Sequence, residues 1–401
     1  MPFLAQRSFA TRAVHAGERA ARPDFTPVVT PIQPTVGYLY DSMDDLDAVF
    51  GNQRPGFVYP RYGSPTVAAF EAAMADLEGG EAAHAFASGM AAIHVSLLAA
   101  GVRAGTTVVA SPDLYGATYS ILQRLFHELG VHVRFVNTAE PELVDQVLAA
   151  TDARALMVET ISNPLLKVAD LSCLAEVAHR HGACLLVDNT FASPYLCNPL
   201  RHRADFVIHS ATKFIAGHGD TMAGAVVTSA ERRQQLYELN KLVGSVLGPF
   251  EAWLALRGLK TLPLRMRQQC ANAQAIAEWL TAHPSVTHVY YPGLPARPDF
   301  VVASHLFAGR GYGGVLSFEI ADADRARVFR FMERLRLCLP ATTLGDVYTL
   351  VLHPATSSHR SLSAEERERL GIREGLVRLS AGIEEVEDII ADLDQALSAV
   401  R

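Results

Sequence analysis

The sequence predicts an α/β fold: a mostly parallel sheet flanked by helices, with an extended N-terminal arm before it and a C-terminal α+β domain after it. Two observations carry this prediction. From about residue 65 to 258, short apolar runs alternate with amphipathic stretches, the pattern of buried parallel strands and their covering helices. The chain has 401 residues, too many for one small core, so two domains are expected besides the arm.

Taken in order, residues 1–64 are rich in Pro, Gly and aromatics, and "TPVVTPIQPT" cannot form a long helix because proline lacks the N–H a helix needs. In 65–258, "TTVVAS", "VHVRFV", "ALMVET", "CLLVDN", "FVIHSA" and "GAVVTS" read as buried strands, with helical patterns such as "PELVDQVLAA" and "LSCLAEVAHRHG" between several of them. Residues 259–401 open on a long helical pattern, "MRQQCANAQAIAEWLTAH". They continue through strand candidates "GGVLSFEI", "YTLVLH" and "LVRLSAGI" to the helix "EVEDIIADLDQALSAV". There is no internal repeat.

Composition narrows the function classes. A content of 49% hydrophobic and 19% charged residues is that of a soluble globular protein. A net charge of −7 without a dense Lys/Arg run argues against a nucleic-acid surface. No apolar stretch is long enough to span a bilayer, and the N-terminus lacks the apolar centre of a signal peptide. Five scattered cysteines without a CxxC read as reduced thiols of a cytoplasmic protein, with neither a disulfide framework nor a zinc site.

The polar residues at the strand ends suggest chemistry. Glu159 follows "ALMV", Asp188 follows "CLLV", and Ser210, Thr212 and Lys213 follow "FVIH". In a parallel sheet these ends share one edge, where ligands of open α/β sheets bind. Only four lysines are present, at 167, 213, 241 and 260, against many arginines. Lys213 reads either as a solvated residue at a helix start or as a reactive amine; a desolvated lysine can lose its proton, which arginine does not. Asp188 is a turn residue or the partner of a fixed cation, since an unpaired buried carboxylate is costly. Glu159, His218 and His353 read as structural. Ser88-Gly89-Met90 opens a helix whose free N–H groups attract an anion, or is an ordinary cap. Tyr59 and Arg61 are further phosphate donors, and Tyr115 can stack on a planar ring. Phosphate, flat ring, acidic partner and reactive amine together describe pyridoxal 5′-phosphate (PLP).

The segments "TRAVHAG", "YPRYGSPT", "ASGMAA", "DLYGATY", "VETISNPLLKVAD", "LLVDNTFASPYL", "HSATKFIAGHGD", "LRGLKTLPLRM", "HPATSSHR" and "VRLSAGIE" resemble, nearly end to end, the Cys/Met-metabolism group of fold type I PLP-dependent transferases. The resemblance implies Lys213 as the lysine that carries the cofactor and Asp188 as the partner of its ring nitrogen. It implies Tyr115 as the stacking ring, and Ser88, Gly89, Met90, Ser210 and Thr212 around the phosphate. Tyr59 and Arg61 would reach the phosphate of a neighbouring subunit, which implies a homo-oligomer, a tetramer built from dimers. Asn163, Thr343 and Arg378 match positions that hold the substrate carboxylate or the cofactor hydroxyl, and Arg378 suits a bidentate clamp.

The group carries several reactions. Ala117, the Asn240-Lys241 pair and Ser64 depart from the pattern of its methionine γ-lyase branch or of the wider group. "GHGDTMAG" and "TLGDVYTLVLHPA" look more like the lyase and sulfhydrylase branches than the β-lyases. The expected activity is γ-elimination on a small sulfur amino acid such as cystathionine or methionine, with γ-replacement on an acylated homoserine as the rival.

Overall fold

The computed structural model describes residues 6–16, 27–360 and 362–400. Its larger sheet has seven strands: β1 (Ala82–Phe86), β2 (Thr107–Ala110), β3 (His132–Phe135), β4 (Ala153–Glu159), β5 (Cys184–Asp188), β6 (Phe206–Ser210) and β7 (Gly224–Thr228). They lie in the order β1-β7-β6-β5-β4-β2-β3. All six strands expected from the sequence are present. The sheet is parallel except at β7, which runs antiparallel to both β1 and β6. The additional strand, β1, has the sequence "AAHAF", whose alanines carry little strand preference.

The apolar runs are continuous because both faces of the sheet are covered. Leu156, Val158, Leu185, Val187 and Val207 enter one core together with Phe70 and Leu77 of the helix Pro65–Glu78. Their neighbours Ala155, Met157, Leu186, Phe206 and Ile208 enter a second core with Ile93 and Leu97 of the helix Gly89–Ala99. Each large side chain fully buried in this way contributes on the order of 1.5–3 kcal/mol.

The second sheet contains β8 (Val286–Tyr290), β9 (Val315–Ile320), β10 (Leu339–Pro340), β11 (Leu350–Leu352) and β12 (Leu376–Ser380), in the order β10-β11-β12-β9-β8. The helix Leu262–Thr281 serves both sheets. Leu262, Met266 and Cys270 pack in the core of the large sheet, and Ala273, Ile276, Ala277 and Leu280 in that of the small one.

Residues 1–5 and 17–26 of the expected arm lie outside the described residues. The remainder contains no long helix. It has two short ones, Phe9–His15 and Met43–Phe50, and a single turn, Pro60–Tyr62. Arg12 Nε binds Asp76 at 2.8 Å, and Thr66 Oγ1 donates to the Pro31 carbonyl at 2.9 Å, so the arm lies along the helix Pro65–Glu78. Ser64 caps that helix, accepting from Val67 N at 3.3 Å. Cys197, Cys270 and Cys338 are buried and Cys173 and Cys184 half-buried; all five are free thiols. No described helix is long and apolar enough to cross a membrane.

Candidate active site

Strand alternation places the key residues. Side chains two apart share a face, so Glu159 follows Met157, Asp188 follows Leu186 and Ser210 follows Ile208 onto the face covered by the helix Gly89–Ala99. In register, Glu159 stands opposite Asp188 and Asp188 opposite Ile208. The next side chain on β4 and β5, and the one before Ser210 on β6, point the other way. Thr160, Asn189 and His209 meet there around Glu78, with Asn189 Nδ2 at 2.9 Å and His209 Nε2 at 2.6 Å from its carboxylate.

Asp188 is buried, and desolvation pushes its carboxyl above the usual range, partly offset by bonds from Thr190. The Thr190 N–H (3.0 Å) and hydroxyl both donate to Oδ1. The same hydroxyl accepts from Ser210 N at 2.8 Å, tying β5 to β6. Oδ2 has no hydrogen-bond partner among the described residues.

Ser88 caps the helix Gly89–Ala99, taking Ala91 N on its hydroxyl (3.1 Å) and Ala92 N on its carbonyl (3.1 Å). The Gly89 and Met90 N–H groups precede the first intrahelical bond and have no acceptor within the helix. Glycine at 89 is required by a close approach, since a Cβ there would sit 2.7 Å from Ser210 Cβ and 3.0 Å from Ser210 Cα. Thr212 Oγ1 exchanges bonds with Ala223, donating to its carbonyl (3.3 Å) and accepting from its N–H (3.0 Å).

Lys213 Nζ donates to Thr343 Oγ1 at 2.8 Å. Burial, and next the nearby Arg378 charge, push the amine below the usual lysine range, while Asp346 pulls in the opposite direction. The backbone beyond the lysine is fixed by Arg265, whose buried guanidinium donates to the carbonyls of Phe214 (2.7 Å), Ile215 (3.2 Å) and Gly258 (2.8 Å). Gly217, at φ +71°, leaves room for it; a Cβ there would lie 2.0 Å from Arg265 Nη1. Arg378 is buried, and desolvation lowers it to about 10. Its Nη1 donates to Asn163 Oδ1 at 3.1 Å and its Nη2 to the Thr343 carbonyl at 3.3 Å.

These residues surround one cavity of about 420 Å³. Of the residues expected from the sequence, Ser88, Gly89, Met90, Tyr115, Asn163, Asp188, Ser210, Thr212, Lys213 and Arg378 line it. Thr343 enters through its bonds to Lys213 and Arg378, between the lining residues Thr342 and Leu344. Tyr59 and Arg61 do not line this cavity. Arg61 instead donates to the Lys241 carbonyl at 2.8 Å and lies over the rings of Tyr59 and Tyr62. Asn240 is buried beside it, bound to His84 at 3.0 Å, so the divergent Asn240-Lys241 pair lies away from the cavity of its own chain. His218 and His353 are not lining residues. Glu159, read from the sequence as structural, is one, and so is Thr190, which nothing in the sequence pattern singled out.

The model of the Cys/Met metabolism PLP-dependent enzyme family matches residues 10–398. This chain belongs to that family. L-methionine gamma-lyase of Porphyromonas gingivalis is 40% identical to this PLP-dependent enzyme over 400 residues, 99% of this chain and 98% of the relative. Cystathionine gamma-lyase of Bacillus subtilis is 42% identical over 349 residues, 87% of this chain and 90% of the relative. Among solved structures, cystathionine gamma synthase of Xanthomonas oryzae superposes with a TM-score of 0.91 at 37% identity, covering 98% of each chain. The residues present fit PLP. Hydroxyls and helix-start N–H groups at one end suit a phosphate, the buried Asp188 suits a cationic ring nitrogen, and a lysine amine lies between them and a buried arginine.

Proposed function

We propose that this PLP-dependent enzyme is a carbon–sulfur lyase that catalyses γ-elimination on a sulfur amino acid, methionine or cystathionine, giving 2-oxobutyrate, ammonia and a thiol. The observation that carries the reading is that Thr343 joins, beside one cavity, a lysine amine held below its usual range and a buried arginine. End-to-end similarity to proteins named as γ-lyases favours elimination.

When bound, PLP supplies a sink for the electrons left on the substrate carbons. Ser88, Ser210, Thr212 and the N–H groups of Gly89 and Met90 hold its phosphate. Asp188 holds its ring nitrogen in the charged form, and Tyr115 stacks on the ring. Arg378, oriented by Asn163 and the Thr343 carbonyl, clamps the substrate carboxylate and so fixes Cα near Lys213. Lys213 Nζ takes the proton from Cα, gives it up within the site and then takes one from Cβ; burial holds the amine below the usual lysine range, which favours the neutral form that this shuttle needs. The Tyr115 hydroxyl protonates the departing sulfur.

Tyr59 and Arg61 serve the cavity of a second subunit, which makes the working unit at least a dimer and, in our reading, a tetramer of two dimers in the cytoplasm. The rival reading, γ-replacement, is favoured by the close superposition on a cystathionine gamma synthase. A product assay separates the two. Elimination requires rapid release of 2-oxobutyrate and ammonia from methionine or cystathionine alone. Fast turnover that demands an acylated homoserine plus cysteine or sulfide would overturn it in favour of replacement.

A further inference from the structure

Glu159 is the one carboxylate of the cavity to which the mechanism above gives no task. It ends β4 directly opposite Asp188 on β5, and both side chains line the cavity. Adjacent strands lie about 4.8 Å apart, so two acids face each other at the floor of one pocket. Among the described residues neither forms an ion pair. Lys167, which could serve, is bound to Asp113 at 2.8 Å. Two like charges this close in a buried site do not both persist, and one group keeps its proton.

The surroundings decide which. Asp188 receives two donors from Thr190, and by our reading of the site it faces a cationic ring nitrogen. Glu159 has Asp188 on one side and Asp113 on the loop after β2. Lys213 and Arg378 lie across the cavity, and His209 points to the other face of the sheet. Desolvation and then the Asp188 charge push Glu159 well above the usual range, further than backbone N–H groups of Tyr115 and Asn163 bring it back. One Glu159 oxygen is already occupied, since Oε1 accepts from the Tyr115 N–H at 2.7 Å. That bond fixes the backbone of the residue whose ring covers the cavity.

We propose that Glu159 is a positioning residue held as a neutral carboxylic acid, which anchors Tyr115 through Oε1 and leaves Asp188 as the single negative charge beneath the cofactor ring. The role rests on the PLP reading of the cavity. It differs from a merely structural contact because it requires a particular protonation state. A neutral amide matches a neutral acid in charge and shape, whereas putting it in place of a carboxylate also removes a negative charge.

The test uses the holoenzyme and infrared difference spectroscopy at neutral pH, wild type against Glu159→Gln. The expected result is loss of a protonated-carboxyl C=O band on substitution; loss of carboxylate bands instead overturns the proposal. Cofactor binding gives a second readout. Glu159→Ala, which strips the anchor from Tyr115, should weaken PLP binding roughly tenfold and alter the circular dichroism of the bound cofactor, and Glu159→Gln should restore both to within about threefold of wild type. Gln behaving as poorly as Ala overturns it. If Glu159→Gln does not fold, absence of any protonated-carboxyl band from the wild-type spectrum is enough to reject the idea. A wild type that takes up no PLP rejects the cofactor reading and this role together, and is recognised by its missing visible absorbance before any variant is compared.

Discussion

The amine of Lys213 rests on the hydroxyl of Thr343, 2.8 Å away. The carbonyl of the same threonine accepts from Arg378 at 3.3 Å, so one residue connects the proposed proton carrier to the proposed carboxylate clamp. Thr343→Val keeps the shape, removes the acceptor and leaves the amine without its partner. A hydrogen bond to a charged group contributes about 1.5–3 kcal/mol, so kcat/KM should fall at least about tenfold. Thr343→Ser should recover most of the loss in steady-state assays. A valine variant as active as wild type would remove Thr343 from the site.

Arg378→Lys tests the clamp. Lysine keeps a positive charge but presents no planar fork, and it cannot serve Asn163 and the Thr343 carbonyl together with a carboxylate. The substrate carboxylate should be held less tightly, raising KM roughly 30-fold, about 2 kcal/mol, the low end for a disrupted buried charge pair. An unchanged KM with a reduced kcat would assign Arg378 to another step.

The lowered range of the Lys213 amine has a defined sign. A lysine depressed by burial and by a neighbouring cation releases its proton at lower pH than an ordinary lysine. Lys241, pushed up chiefly by its bond to Glu238, releases its proton later. In cofactor-free protein, trace acylation across a pH series should give Lys213 the lower midpoint of the two. Arg378→Gln should move the Lys213 midpoint upward, because the second cause of its depression is removed. A Lys213 midpoint at or above that of Lys241 contradicts the assignment.

Arg61 lies beside Lys241 and not in the cavity that holds Lys213. Arg61→Ala and Lys213→Ala homo-oligomers should each be nearly inactive, by roughly 10²–10⁴-fold for loss of the proton carrier. Mixed dimers should regain activity at the one site free of both lesions. No recovery, once mixed dimers are shown to form, would put both residues in the same site.

The sequence made the middle of the large sheet legible for a physical reason. β4, β5 and β6 are buried on both faces, so each carries an apolar run that ends only where polar residues begin: Glu159 on β4, Asp188 on β5, and His209 then Ser210 on β6. β1 was not legible, because "AAHAF" has neither branched residues nor a simple period. The reversed direction of β7 leaves no mark on a buried run. At the site, residue type and strand-end position pointed to Lys213 and Asp188, and the family resemblance to Arg378. Glu159 read as structural, and its place in register beside Asp188, on which the proposed role rests, depends on strand pairing that no local pattern reports. Thr190 acts through bonds to Asp188 and to Ser210, twenty residues away in the chain, which no local pattern reports.

The helix Leu262–Thr281 makes the two sheets mechanically inseparable. Its first half completes one apolar core and its second half the other, while Arg265 on its first turn grips the chain just past Lys213. Neither sheet can finish burying its own apolar surface until this one rod is in place. The polypeptide is therefore expected to melt as a single cooperative unit, and scanning calorimetry that resolved two separate transitions would contradict this coupling.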